Sequence, residues 1–225
     1  MQCHCKIAVI LHLVSDSVKT SLRTSRVLEN EERIIRAAHQ LFVSEGYRGT
    51  TLAAVAAAAG VAPRTIYVRF GTKADLLNRV VGVALVGDLA PRNVVSREWY
   101  RTALSAPTLD ERITALAAGS ARLVTAAADV VAVAREAEPT EPRLAEQAVA
   151  GRAATHQAFR GFWTGAHDDG LLPTGSDLAW LADTSSLLAH IETYLLLRDM
   201  HPATARRYHT WLETTLRRLV GAAAN

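Results

Sequence analysis

From Asn30 onward, apolar residues fall at helical spacing: Ile34, Ile35, Ala38, Leu41 and Phe42 share one stripe, with polar residues between them. Asn30 suits an N-cap, Glu31 and Glu32 suit the positive end of a helix, and Gly46 is placed to stop it. Thr51 predicts the cap of a short second helix with Leu52, Val55, Ala56 and Ala59 inward, ended by Gly60. Pro63 stands at the first position of a third helix, about Arg64 to Phe70, where its missing N–H costs nothing. Gly71 breaks the chain again, and Thr72 caps a fourth helix carrying Leu76, Leu77 and Val80.

Beyond Pro91 the helices lengthen. Thr108-Leu109-Asp110-Glu111 has the form of a capping box and predicts a helix to about Ala128 or a turn or two further. Glu138-Pro139-Thr140-Glu141-Pro142 reads as a connector, followed by a long helix over about Arg143–Gly165. After the loop His167–Pro173, a cap at Ser176 predicts the last two helices, about Asp177–Arg198 and Pro202–Val220. Alternating strand patterns and internal repeats are missing. Alanine is abundant and aromatics make up only 6%. The expected fold is all-α, with residues 1–29 an extension, 30–77 a helix-turn-helix domain and 78–225 a helical ligand-binding and dimerisation domain.

The extension is expected to be disordered. Its apolar run at residues 7–14 is too short to span a bilayer, which needs roughly 20 residues. It also lacks a cleavage pattern. Val14, Val18 and Val27 are alternative starts where their codons permit. Cys3 and Cys5 are the only cysteines, so no disulfide staples the body and a reducing, cytoplasmic setting is expected. Cys3-His4-Cys5 offers soft ligands without the further ligands a metal centre needs. Charge is uneven: residues 1–90 carry 11 Lys/Arg against 7 Asp/Glu, the remainder 14 against 15. A basic head on a nearly neutral body fits a partner that is a polyanion.

Residues 47–77 concentrate the functional signal. Two short helices joined by Gly60-Val61-Ala62 form a helix-turn-helix: Ala56 where the helices cross, Gly60 for the left-handed turn, Val61 to fill the angle. The pattern Gly46-Tyr47-x-x-Thr50-Thr51, Val55-Ala56-x-x-Ala59-Gly60-Val61 and Thr65-Ile66-Tyr67-x-x-Phe70-x-x-Lys73-x-x-Leu76-Leu77 resembles the tetracycline-repressor (TetR) family of bacterial regulators over roughly residues 31–77.

If the third helix enters the major groove, Arg64 and Thr65 in its first turn meet base edges. Thr51 at a helix N-terminus, with Thr50 beside it, is placed to hold a phosphate. The resemblance implies phosphate contacts from Tyr67 and Lys73, and Arg48 and Arg69 add cations. The sequence departs from the family where Ala62 replaces the usual Ser or Thr cap, where Arg69 replaces the usual His, and in its nearly all-alanine second helix.

The same resemblance implies a homodimer, and Leu188, Ile191, Leu195, Trp211, Leu212 and Leu216 are the candidate interface. It also implies a small-molecule effector between the middle helices, where a mostly apolar wall with occasional His or Arg favours a hydrophobic or aromatic compound. The candidate walls are Trp99, Arg122, His156, Phe159, Trp163 and Tyr194. Expected partners are therefore double-stranded DNA and such an effector; no cofactor, metal, membrane or catalysis is expected. The competing readings are a ligand-independent DNA binder and a metal-dependent hydrolase built on His156, His167, Asp168 and Asp169.

Overall fold

The computed structural model describes residues 4–89, 94–201 and 205–223, with side chains from Val27 onward except that of Val94. Among these residues there are ten α-helices, a single 3-10 turn at Val94–Ser96, and no strand. The head comprises the C-terminal part of α1 (His4–Gly49), α2 (Leu52–Ala59), α3 (Pro63–Phe70) and α4 (Lys73–Val86). The body contains α5 (Glu98–Ser105), α6 (Leu109–Ala137), α7 (Pro142–Asp168), α8 (Leu178–Leu188), α9 (Ile191–Met200) and α10 (Ala205–Ala222).

Asn30 is not a helix start. α1 runs from His4, and no Gly or Pro occurs before Gly46 to interrupt it. Gly46 does break it: its φ of 69° turns the chain out of helical geometry. The Cys3-His4-Cys5 side chains and the expected helix start at Pro202 lie outside what is described.

Two cores divide the molecule. One belongs to the head, where Ile34, Phe42, Val55, Ala56, Ile66 and Leu77 are buried together. Val130, Val133 and Ala137 of α6 and Leu144 of α7 belong to this same core. The head therefore rests on the ends of two body helices. The other core fills the body around Trp163, Phe162, Leu181, Tyr208, Leu212 and Leu216.

α6 ends at Ala137, slightly beyond the one or two turns past Ala128 that were expected. Its capping box is present: Thr108 accepts from Glu111 N–H, and Glu111 accepts from Thr108 N–H. α6 is also long and apolar enough to cross a membrane, yet 61% of its apolar window is buried inside the fold. The single helix expected over Asp177–Arg198 is two, separated at Ala189 and His190. Asp177, not Ser176, caps α8 by accepting from Trp180 N–H.

Candidate nucleic-acid interface

Local chemistry sets the angle of the two short helices. Thr51 accepts from Ala54 N–H at 3.1 Å and starts α2. Gly60, at φ 63° and ψ 39°, donates back to Ala56 and Ala57 and ends it. Val61 N–H then reaches Ala56 O at 3.0 Å, so the turn closes on the residue that is fully buried at the crossing. Pro63 opens α3 and Ala62 provides no side-chain cap, as the sequence indicated. A missing cap costs about 1 kcal/mol.

α3 is an almost bare rod. Ile66 is its single buried residue and ties it to the head core. Arg64 and Thr65 are exposed in its first turn. Tyr67 is 55% exposed and Val68 77% exposed. Val68 was not singled out in the sequence, although it stands four residues after Arg64 and so shares its face. An apolar residue so exposed on this rod was the signal available. Arg48 and Thr51 are also exposed. Because the Thr51 oxygen accepts the cap bond, its hydroxyl hydrogen is left to donate outward.

Three of the expected DNA-facing residues are placed differently. Thr50 is 1% exposed, and its hydroxyl reaches Leu41 O at 3.0 Å and Gly46 O at 2.8 Å. It is bonded to two backbone carbonyls around the Gly46 kink and is not on the surface. The Lys73 ammonium points inward: it donates to Tyr47 O at 2.7 Å and Thr50 O at 3.1 Å, and lies 4.1 Å from the Tyr47 ring centroid. It fastens α4 to the turn before α2. Arg69 pairs with Glu31, a buried carboxylate expected only as a favourable first-turn charge.

Glu31 also accepts from Arg79 at 2.7 and 2.9 Å. Burial pushes its carboxyl upward, but hydrogen bonds and charge from Arg69 and Arg79 outweigh that and hold it below the usual glutamate value.

The expected effector walls are mostly filled. Trp163 is fully buried and donates through its indole N–H to Ser185 Oγ at 2.9 Å. Phe159 is buried, and Tyr194 meets Tyr208 edge-on at 5.1 Å. Trp99 is half-buried with its ring pressed against Gly119. His156 lies nearer the surface with Asp183 at 2.7 Å, and Arg122 is exposed, so neither faces an interior cavity. Clefts run along Glu29, Arg33 and Arg36 of α1 and along Arg206, Trp211 and Arg218 of α10.

Half of the expected dimer stripe is likewise interior. Leu195, Leu212 and Leu216 are buried within the subunit, while Leu188, Ile191 and Trp211 are half-buried. The outward residues are Leu187, Leu196 and Met200, each at least 60% exposed. Amphipathic spacing identifies an apolar face but not whether it meets the same chain or another. Among the described residues, no group of three metal-binding side chains occurs.

Residues 34–80 match the model for bacterial regulatory proteins of the tetR family. No curated protein matches the sequence. A TetR-family transcriptional regulator from Mesorhizobium loti superposes with a TM-score of 0.66 at 17% identity, covering 86% of this chain and 96% of that one. GusR from Salmonella enterica gives 0.63 at 18% identity, covering 85% and 95%. FadR from Bacillus subtilis, solved in complex with stearoyl-CoA, gives 0.63 at 17% identity, covering 84% and 97%. At these identities the likeness is one of fold, and it spans head and body together.

Proposed function

We propose that this chain is a TetR-family transcriptional regulator, acting as a homodimeric repressor; its matched head and its fold support the reading. It binds a near-palindromic operator and is released by a small hydrophobic or aromatic molecule. The observation that carries the reading is the exposed face of α3, which leaves Arg64, Thr65, Tyr67 and Val68 uncovered on a rod anchored by Ile66.

An Arg fork takes two hydrogen bonds from a guanine edge, and Thr65 and Val68 offer methyl groups to thymine. Arg48, Thr51 and Tyr67 then bond to phosphates, fixing register without reading sequence. One such rod reads few base pairs, so a twofold pair on half-sites about 34–36 Å apart, or a multiple of that, supplies the affinity. The exposed Leu187, Leu196 and Met200 are the apolar surface proposed for that pairing.

Release follows from linkage. α6 and α7 contribute to the head core, and Arg143 of α7 pairs with Asp75 of α4 at 2.8 Å. A ligand that favours a different setting of α6 and α7 must, reciprocally, lower DNA affinity in the original setting. The FadR complex with stearoyl-CoA shows a protein of this fold holding an acyl ligand. In this body Trp99, Phe159, Trp163 and Tyr194 are packed together in or against the core and would have to part to admit a ligand among them.

The test is a titration of duplex DNA over a salt series, combined with sedimentation of the complex. Salt-dependent binding of two chains per duplex is expected. A chain that ignores duplex DNA at low salt, or binds it one to one at saturation, would overturn the proposal.

A further inference from the structure

Two guanidinium groups converge on one buried carboxylate. Glu31 is 5% exposed; its Oε1 accepts from Arg79 Nε and Nη2 at 2.9 and 2.7 Å, and its Oε2 accepts from Arg69. Arg79 continues to Leu89 O at 2.7 Å. Arg79 alone would neutralise Glu31, with two bonds to it. Arg69 is the surplus cation, and it comes from the last turn of α3, the rod proposed to enter the groove. Its side chain remains 34% exposed. The guanidinium nonetheless turns inward to Glu31 instead of outward.

An arginine free at that point would add a phosphate contact, which strengthens binding to every duplex alike and dilutes the share of affinity that reads bases. Resting on the DNA-binding reading above, we infer that Glu31 is a specificity-determining positioning residue. It withholds Arg69 from the DNA backbone and leaves site choice to the Arg64 end of α3.

The carboxylate makes this possible because it is fixed twice over by Arg79, so its negative charge stays in place whether or not Arg69 is bound. Replacing it with a neutral amide of the same shape keeps one carbonyl oxygen to accept from Arg79 but sets an amide NH2, a donor, toward Arg69, which loses its hold.

Glu31→Gln and Arg69→Ala are titrated with a random-sequence duplex across a salt series, beside the unaltered chain. Glu31→Gln is expected to bind that duplex several-fold more tightly at low salt, with a slope of log affinity against log salt steeper by about 0.9 for each Arg69 released, about 1.8 for the two chains of the proposed dimer. Arg69→Ala is expected to leave the slope unchanged, because the withheld cation makes no contact to lose.

An unchanged slope in Glu31→Gln would overturn the inference. So would an Arg69→Ala slope shallower by about 0.9 per chain, about 1.8 per bound dimer, the mark of an arginine already on phosphate. If Glu31→Gln does not fold, Arg69→Ala decides by the same two outcomes. An unaltered chain with no salt-dependent binding removes the DNA-binding reading and this inference with it; normal binding with the slopes above reversed removes this inference alone.

Discussion

A Cβ built on Gly119, in the middle of α6, would lie 2.0 Å from Trp99 Cε3 and 2.4 Å from Cδ2 and Cζ3. Carbon atoms in contact sit about 3.5–4.0 Å apart, so Gly119→Ala forces the indole to retreat by roughly 1.5 Å or swing out of its seat. Overpacking of this kind costs about 1–3 kcal/mol. Acting the other way, Ala in a helix interior is about 1 kcal/mol better than Gly. The clash outweighs the gain, and a net loss of about 1 kcal/mol is expected. In a Trp99→Ala background the clash is gone and the propensity gain remains, so the same substitution becomes stabilising by up to about 1 kcal/mol.

The sign reversal is what the geometry demands. Urea unfolding of the four chains in the cycle measures it, through midpoints compared at constant slope. A coupling of about 1–3 kcal/mol stands clear of the ~0.5 kcal/mol scatter of independent sites. Gly119→Ala stabilising in both backgrounds, or destabilising in both by the same amount, would refute the reasoning. It would mean that α5 does not close on α6 through this ring.

Other consequences concern the head. Tyr67→Phe should weaken binding to all duplexes alike, whereas Arg64→Ala should relax preference at particular bases by about 1–3 kcal/mol; binding to a library of variant sites separates the two. Lys73→Met keeps the aliphatic stem but loses two carbonyl bonds and the Tyr47 ring contact. It should lower stability by about 1–3 kcal/mol in urea unfolding, and unchanged stability would place the ammonium outside the turn. Glu31 is held below its ordinary value of 4.5. Its stabilising contribution is therefore complete above 4.5 and is lost as pH falls through the lower folded value. Urea midpoints between about pH 5 and pH 3 should fall more steeply for the unaltered chain than for Glu31→Gln, and parallel curves would contradict the pairing.

Much of the fold was legible because its signals are local. Thr51, Thr72 and Thr108 each cap the helix that follows them, since a hydroxyl placed before an apolar run meets the N–H groups two or three residues on. The head pattern was legible for the same reason, with Gly60 and Val61 doing in the structure what their order implied. The break before Ile191 was not legible. It has no Gly or Pro, and its cap is the His190 imidazole accepting from Glu192 N–H. Thr50 beside Thr51 looks equally suited to the surface, but its hydroxyl is bonded to Leu41 O and Gly46 O. The inward turns of Lys73 and Arg69 depend on partners 23 to 38 residues away. No spacing along α3 or α4 encodes those partners.

If α3 reads DNA twice with twofold symmetry, selection of preferred duplexes from a fully random library will enrich an inverted repeat. Its half-sites are expected to be centred about 34–36 Å apart along the helix, or a multiple of that, and Arg64→Ala to lose its most selective bases. Recovery of a single asymmetric site, or of no preferred sequence while binding persists, would contradict it.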